Sequence, residues 1–312
     1  MTRMQLSSII IGVLGAASLG AKGGCGPCNV TEQTITTTLL PPANGDAAVL
    51  DSGLPADAGA LSHDECVARC ADPTVISCRY DTPGGVPSLH CVIPANCGGA
   101  GRRPEGFVEP TGLPSDAIGA WFAQTAYLEA SAVHAFDRMT RELHEHGAPL
   151  RLRRRSQRAR NDEIRHARSM RAIALRFGAR APRPGVKATA KRSLEAMALE
   201  NAVEGCVRET YGALLATWQA AHVQDARIAA DLARIAKDET EHAALSWQVH
   251  AWALRRLSEE ARARVEAAMA DAAAQLEIDL AAPVPEACRE AGLMPAPEVA
   301  RELLRGLQAR LS

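Results

Sequence analysis

From Ser115 onward the chain repeats apolar residues at helical spacing. Within 115–258 prolines fall only at 149, 182 and 184, all between the periodic stretches. The pattern predicts four long helices. The first is capped by Ser115, runs to about His146 and closes at Gly147. The second starts at Pro149, a residue suited to a first helical turn, and ends near Gly178. The third covers about 188–223 and the fourth about 225–256, with Ser258 capping a fifth. Pro283 and Pro285 break the pattern before a last helix near 297–311. At 1.5 Å per residue the main helices would be ~40–50 Å long, and short loops between them predict an antiparallel bundle.

Each helix has an inner row. The first offers Phe122, Ala126, Glu129, Val133 and Phe136; the second offers Ala159, Glu163, His166, Met170, Ile173 and Phe177. The third offers Met197, Glu204, Val207, Tyr211 and Leu214; the fourth offers Ile228, Leu232, Ile235, Glu239, His242 and Val249. Carboxylate or imidazole interrupts every apolar row near its middle. The interruptions also repeat: Asp162-Glu163-Ile164-Arg165-His166-Ala167 recurs as Asp238-Glu239-Thr240-Glu241-His242-Ala243, and Glu129 recurs as Glu204. Glu and His three apart share one helix face, so both can reach one ion or adjacent ions. Four ionised glutamates in a core would repel one another and lose hydration, whereas two divalent cations would balance them. Oxygen-rich sites with some imidazole suit iron or manganese.

This segment, about 140 of the 312 residues, resembles the ferritin-like di-iron carboxylate superfamily, which includes ferritins, rubrerythrins and ribonucleotide reductase small subunits. The resemblance implies a ferritin-like four-helix bundle over 115–257 with two metal ions. Glu163 and Glu239 would bridge them, Glu129 and His166 would complete one site, and Glu204 and His242 the other. It further implies that Asp162 holds His242 and Asp238 holds His166. Glu200 is a weaker ligand candidate that otherwise pairs with an arginine. Arg208, one turn after Glu204, is a candidate for that arginine, and Tyr211 is a candidate neighbour of the site. His134 and Glu209 occupy equivalent positions of the repeat, five residues past each upstream glutamate, where a pair across helices could form.

Composition adds context. Net charge is −1, which gives no global pull toward nucleic acid, and no apolar run reaches the length of a membrane span. Residues 1–24 read as a signal peptide, with Arg3 before the apolar run Leu6–Ala21. Seven of the nine cysteines lie between 25 and 97, which predicts an oxidising compartment and a small disulfide-rich segment. Cys25 is a candidate lipid anchor; Cys28, Cys66, Cys70, Cys78, Cys91 and Cys97 could form three bridges, leaving Cys206 and Cys288. The expected layout is a linker over 25–60, a Cys-rich module over 61–100, a linker over 101–114, the all-α bundle, and C-terminal helices over 258–312. Cys25-Gly26-Pro27-Cys28 lacks the flanking strand and helix of a redox motif, and the arginine run of the second helix reads as a solvated face.

The expected function is an exported di-metal oxidoreductase, with two iron or manganese ions, acting on dioxygen or peroxide. No rubredoxin-like cysteine set is visible, so turnover would need an external electron donor. The alternatives are metal binding without turnover, as in iron sequestration, and an envelope interaction protein with a metal-stabilised bundle.

Overall fold

The computed structural model describes residues 31–35, 77–81, 88–93, 102–110, 116–187, 189–280 and 284–308. They fall in two compact units, one within Asn29–Ala95 and one within Asn96–Ser312. The signal stretch, Cys25 and most of the Cys-rich segment lie outside the described residues.

The first unit contains β1 (Thr31–Ile35), β2 (Ser77–Asp81) and β3 (Ser88–Ile93). They form an antiparallel sheet in the order β1-β3-β2, with Thr31 opposite Ile93 and Cys78 opposite Cys91. Strand β1 falls inside the predicted linker. Its β-branched residues Thr31, Thr34 and Ile35 favour a pleated ladder once β3 supplies one.

Among the described residues the second unit is all-helical apart from one bridge between Phe107 and Val186. Helix α1 spans Ala117–Glu145 and α2 spans Leu150–Arg176. Asp116 caps α1 by accepting from the Gly119 N–H, so the cap is one residue past the predicted Ser115. Gly147 and Gly178, both with φ near +70°, stop the two helices in the left-handed conformation that a side chain resists. The third predicted helix is shorter and is interrupted. It begins at the Ser193 cap as α3 (Leu194–Glu200), passes through a π-helical segment (Asn201–Glu209) and continues as α4 (Thr210–His222). Then come α5 (Ala226–Leu254), α6 (Glu259–Asp279), α7 (Glu286–Glu290) and α8 (Pro297–Gln308).

Helices α1 and α2 pack along each other, α2 packs on α5, and α5 packs on the π segment and α4. Between them lies a core of Phe136, Met139, Leu143, Leu152, Met197, Leu245 and Val249. A second core joins Val207, Tyr211, Leu214 and Trp218 to Leu276, Leu303 and Leu307, so α6 and α8 cover the outer face of the π segment and α4. Phe177, expected inside, is 37% exposed, though its ring stacks on Phe122. Among the described residues no helix is long and apolar enough to cross a membrane.

Residues 102–110, predicted as linker, lie on the helices as a strap. Val108 N–H donates to Gly185 O, Lys187 N–H to Gly106 O, and the Tyr127 hydroxyl donates to Val108 O. Arg138 Nη1 donates to Glu105 O, and Glu105 N–H donates to Glu200 Oε2. The strap's backbone therefore finds partners on the helices and on the connection between α2 and α3, where a solvated linker would leave its polar groups to water.

Arg192 joins α1, α3 and the strap by pairing with Glu142 at 2.7 Å, Glu200 at 2.7 Å and Glu105 at 3.1 Å. Replacing Arg192 with Met leaves the buried Glu142 without its cation. We expect a loss of about 2–3 kcal/mol in stability, read from the denaturant midpoint; an unchanged midpoint would show that the network contributes nothing net.

Candidate metal centre

Helical spacing puts Glu163 and His166 on one face of α2, and Glu239 and His242 on the facing side of α5. Glu129 reaches them from α1. The surrounding apolar rows seal the group: Glu129, Glu163, His166, Glu239 and His242 are each no more than 3% exposed.

Two sets of potential metal ligands result. One comprises Glu129, Glu163, His166 and Glu239; the other comprises Glu163, Glu209, Glu239 and His242. Within each set the donor atoms lie within 4.8 Å of one another, and Glu163 and Glu239 belong to both. His166 Nδ1 is 3.2 Å from Glu239 Oε1 and 3.6 Å from oxygens of Glu129 and Glu163. His242 Nδ1 is 3.1 Å from Glu163 Oε1, 3.5 Å from Glu239 Oε1 and 3.8 Å from Glu209 Oε1.

The far nitrogen of each imidazole is anchored across the helix pair. His166 Nε2 lies 3.2 Å from Asp238 Oδ2 and His242 Nε2 lies 3.3 Å from Asp162 Oδ2. An aspartate on Nε2 keeps that nitrogen as the donor and turns Nδ1 toward the cluster. Arg165 pairs with both aspartates, at 2.7 Å from Asp162 and 3.1 Å from Asp238.

Glu204 belongs to neither set. It accepts the Arg103 N–H at 2.9 Å and lies 3.6 Å from Arg208, which also reaches Asp279. The π segment brings Glu209 to that side. Its hydrogen bonds run i to i+5, so residues five apart come onto one face, and Glu209 follows Glu204 by five. Uninterrupted α-helical spacing would turn Glu209 away. The segment carries Gly205, a weak helix former, and Asn201, whose amide donates to Ser246 O. A Cβ on Gly205 would sit 2.6 Å from Arg102 Nη2 and 2.8 Å from Ser246 Cβ, so glycine leaves the room that a buried guanidinium occupies.

That guanidinium belongs to Arg102 of the strap, 1% exposed. It donates from Nε to Glu209 Oε2 at 2.6 Å and from Nη2 to Ser246 Oγ at 2.5 Å, and it lies 4.6 Å from the Phe136 ring centroid. Sequence reasoning passed over Arg102 because nothing in a Gly- and Pro-flanked stretch signals burial. The other candidates lie outside the cluster. Glu200 pairs with Arg138 and Arg192, Tyr211 packs in the second core, and His134 is exposed. Cys206 and Cys288 are buried free thiols.

The charge pattern is uneven. Burial pushes the Glu129 carboxyl well up, with Glu163 adding to it. Burial also pushes Glu209 up to about 7, against the pull of Arg102. Burial opposes charge on Glu163 and Glu239 as well, yet the imidazoles beside them hold both below the usual carboxylate range. Burial likewise opposes protonation of His166 and His242, but the carboxylates around them win and raise both.

Several donor atoms remain unsatisfied. Glu129 Oε2, Glu163 Oε2, Glu239 Oε1, His166 Nδ1 and His242 Nδ1 are buried with no hydrogen-bond partner. Such groups cost about 1–3 kcal/mol each when left alone. They converge, and they are the oxygen and nitrogen donors that a divalent transition metal takes, so the residues fit a metal site. No protein-family model, no curated protein and no solved structure matches the chain.

Metal ligation requires neutral imidazole. Without metal, the raised His166 and His242 contribute stability that is full below their ordinary value of 6.5 and fades as pH rises through the raised value. The depressed Glu163 and Glu239 contribute above their ordinary 4.5 and lose that contribution as pH falls through the lowered value. Chelator-treated protein should therefore lose melting temperature as pH is raised above neutrality, and divalent loading should restore it. Loading should also release protons into a weakly buffered, dye-containing solution; binding without proton release would exclude the imidazoles as donors.

Proposed function

We propose that this chain is an exported di-metal carboxylate protein whose helices 117–254 form a ferritin-like antiparallel four-helix bundle, and that it is an oxidoreductase acting on dioxygen or peroxide. The observation that carries this reading is the pair of buried ligand sets sharing Glu163 and Glu239. Carboxylates common to two sets are what two adjacent cations need as bridges. Glu129 and His166 would complete one site, and Glu209 and His242 the other.

Iron is the expected ion at this donor set, with manganese the second choice. Bound there, such ions would polarise an oxygen donor and exchange electrons with it. The chain's own residues then have clear tasks. Asp162 and Asp238 hold the imidazoles in one tautomer and orientation. Phe136, 5.2 Å from the His242 ring, and the neighbouring apolar side chains keep water away and strengthen the local electrostatics. Glu129 and Glu209 are carboxylates held in contrasting surroundings, the first without a partner on Oε2 and the second paired with Arg102. An external electron donor would sustain turnover.

Metal analysis after anaerobic loading with Fe(II) or Mn(II) should find two ions per chain. Absorbance should change on adding oxygen or peroxide, with continued consumption only when reductant is supplied. Glu163→Ala and Glu239→Ala should each abolish binding of both ions. A folded protein that takes up neither metal, or that binds normally in both variants, would overturn the reading; oxidation followed by growth of a mineral core would favour sequestration instead.

A further inference from the structure

Resting on the di-metal reading, we infer that Arg102 makes the two ligand sets unequal, so that the Glu129/His166 set takes its cation first and the Glu209/His242 set takes a second one more weakly. The two sets share Glu163 and Glu239 and each has one imidazole anchored by an aspartate. They differ in the remaining carboxylate and in what surrounds it.

Glu129 is 3% exposed, its Oε2 has no hydrogen-bond partner and faces His166 Nδ1 at 3.6 Å, and Arg165, whose side chain is 57% exposed, meets only the outer aspartates of the two imidazoles. Water and salt screen a charge so placed. Glu209 already holds a cation. Arg102 Nε is 2.6 Å from its Oε2, and Ser246 Oγ lies 3.3 Å from the same oxygen. Only Oε1 remains turned toward His242. An ion accepted there would have a fixed positive charge one carboxylate away, with Arg102 and Glu209 each 1% exposed and no solvent between them. Like charges at that range in a dry core repel strongly.

Arg102 has little freedom to withdraw. Ser246 accepts from its Nη2, Phe136 lies under its plane, and Gly205 leaves it room on the remaining side. The adjacent Arg103 N–H fixes Glu204, so consecutive strap residues hold the two carboxylates of the π segment, one inside the cluster and one outside it. Arg102 thus acts through Glu209 and is a positioning residue.

The test is a titration of the chelator-treated full-length chain with Co(II), followed by calorimetry and by Co(II) absorbance. The wild type should bind two ions in resolved steps, the second weaker by about tenfold or more. Glu129→Gln should remove the tight step, and Glu209→Gln should remove only the weak one. Arg102→Gln should tighten the second step and narrow the gap, with circular dichroism confirming the fold. Should that variant fail to fold, the wild-type titration and the two glutamine variants still decide the order. Two ions bound in one unresolved step, the same step lost in both glutamate variants, or an unchanged gap in folded Arg102→Gln would each overturn the inference and leave the di-metal reading standing. No Co(II) binding at all would overturn that reading itself.

Discussion

Four glutamates meet in a hydrophobic interior, and the arrangement of the surrounding helices answers to that concentration of charge. Each buried ion loses several kcal/mol of hydration unless partners replace the water. Glu163 and Glu239 find two imidazoles, Glu209 finds Arg102, and Glu129 has only the more distant His166. The imidazoles need acceptors of their own, which is why Asp162 and Asp238 face across α2 and α5 rather than pointing to solvent. The cluster thus joins α1, α2, the π segment and α5 through one group of buried polar side chains. The buried atoms that still lack partners are the ones a cation would satisfy.

The π segment and the strap form one device. An i to i+5 turn lets Glu204 and Glu209 share a face, and the strap meets both with successive residues. Gly205 gives the guanidinium its path, and Arg138 and Arg192 secure the strap further along through Glu105 and Glu200. The C-terminal helices touch this device through Asp279, which pairs with Arg208. They cover Val207, Tyr211 and Trp218 from outside, so the π segment is packed on both sides and its wide turn is not left to relax into solvent.

Much of this was legible along the chain. Periodicity located α1, α2, α5 and α6 to within a few residues, because each is a long regular helix with a cap or a glycine stop. Glu129, Glu163, His166, Glu239 and His242 stood out because α-helical spacing holds without interruption around each of them. Glu204 and Glu209 were harder to order. A repeat compares positions on the assumption that both copies wind alike, and a π turn within one copy breaks that assumption without leaving a strong composition signal. Strand β1 was likewise hidden, since five residues have little preference until a partner strand lies beside them.

The sequence by itself determined the helical character of the described residues from 117 onward, the rows that face inward, and the recurrence of Asp-Glu-x-x-His on two helices. These depend on contacts between residues three or four apart, which local spacing dictates. The tertiary structure alone decided that Glu209 stands in the cluster while Glu204 pairs with the strap, and that Arg102 is buried against it. Those outcomes depend on which distant groups meet: a residue more than 100 positions away supplies the charge that Glu209 needs, and no local pattern records such a meeting.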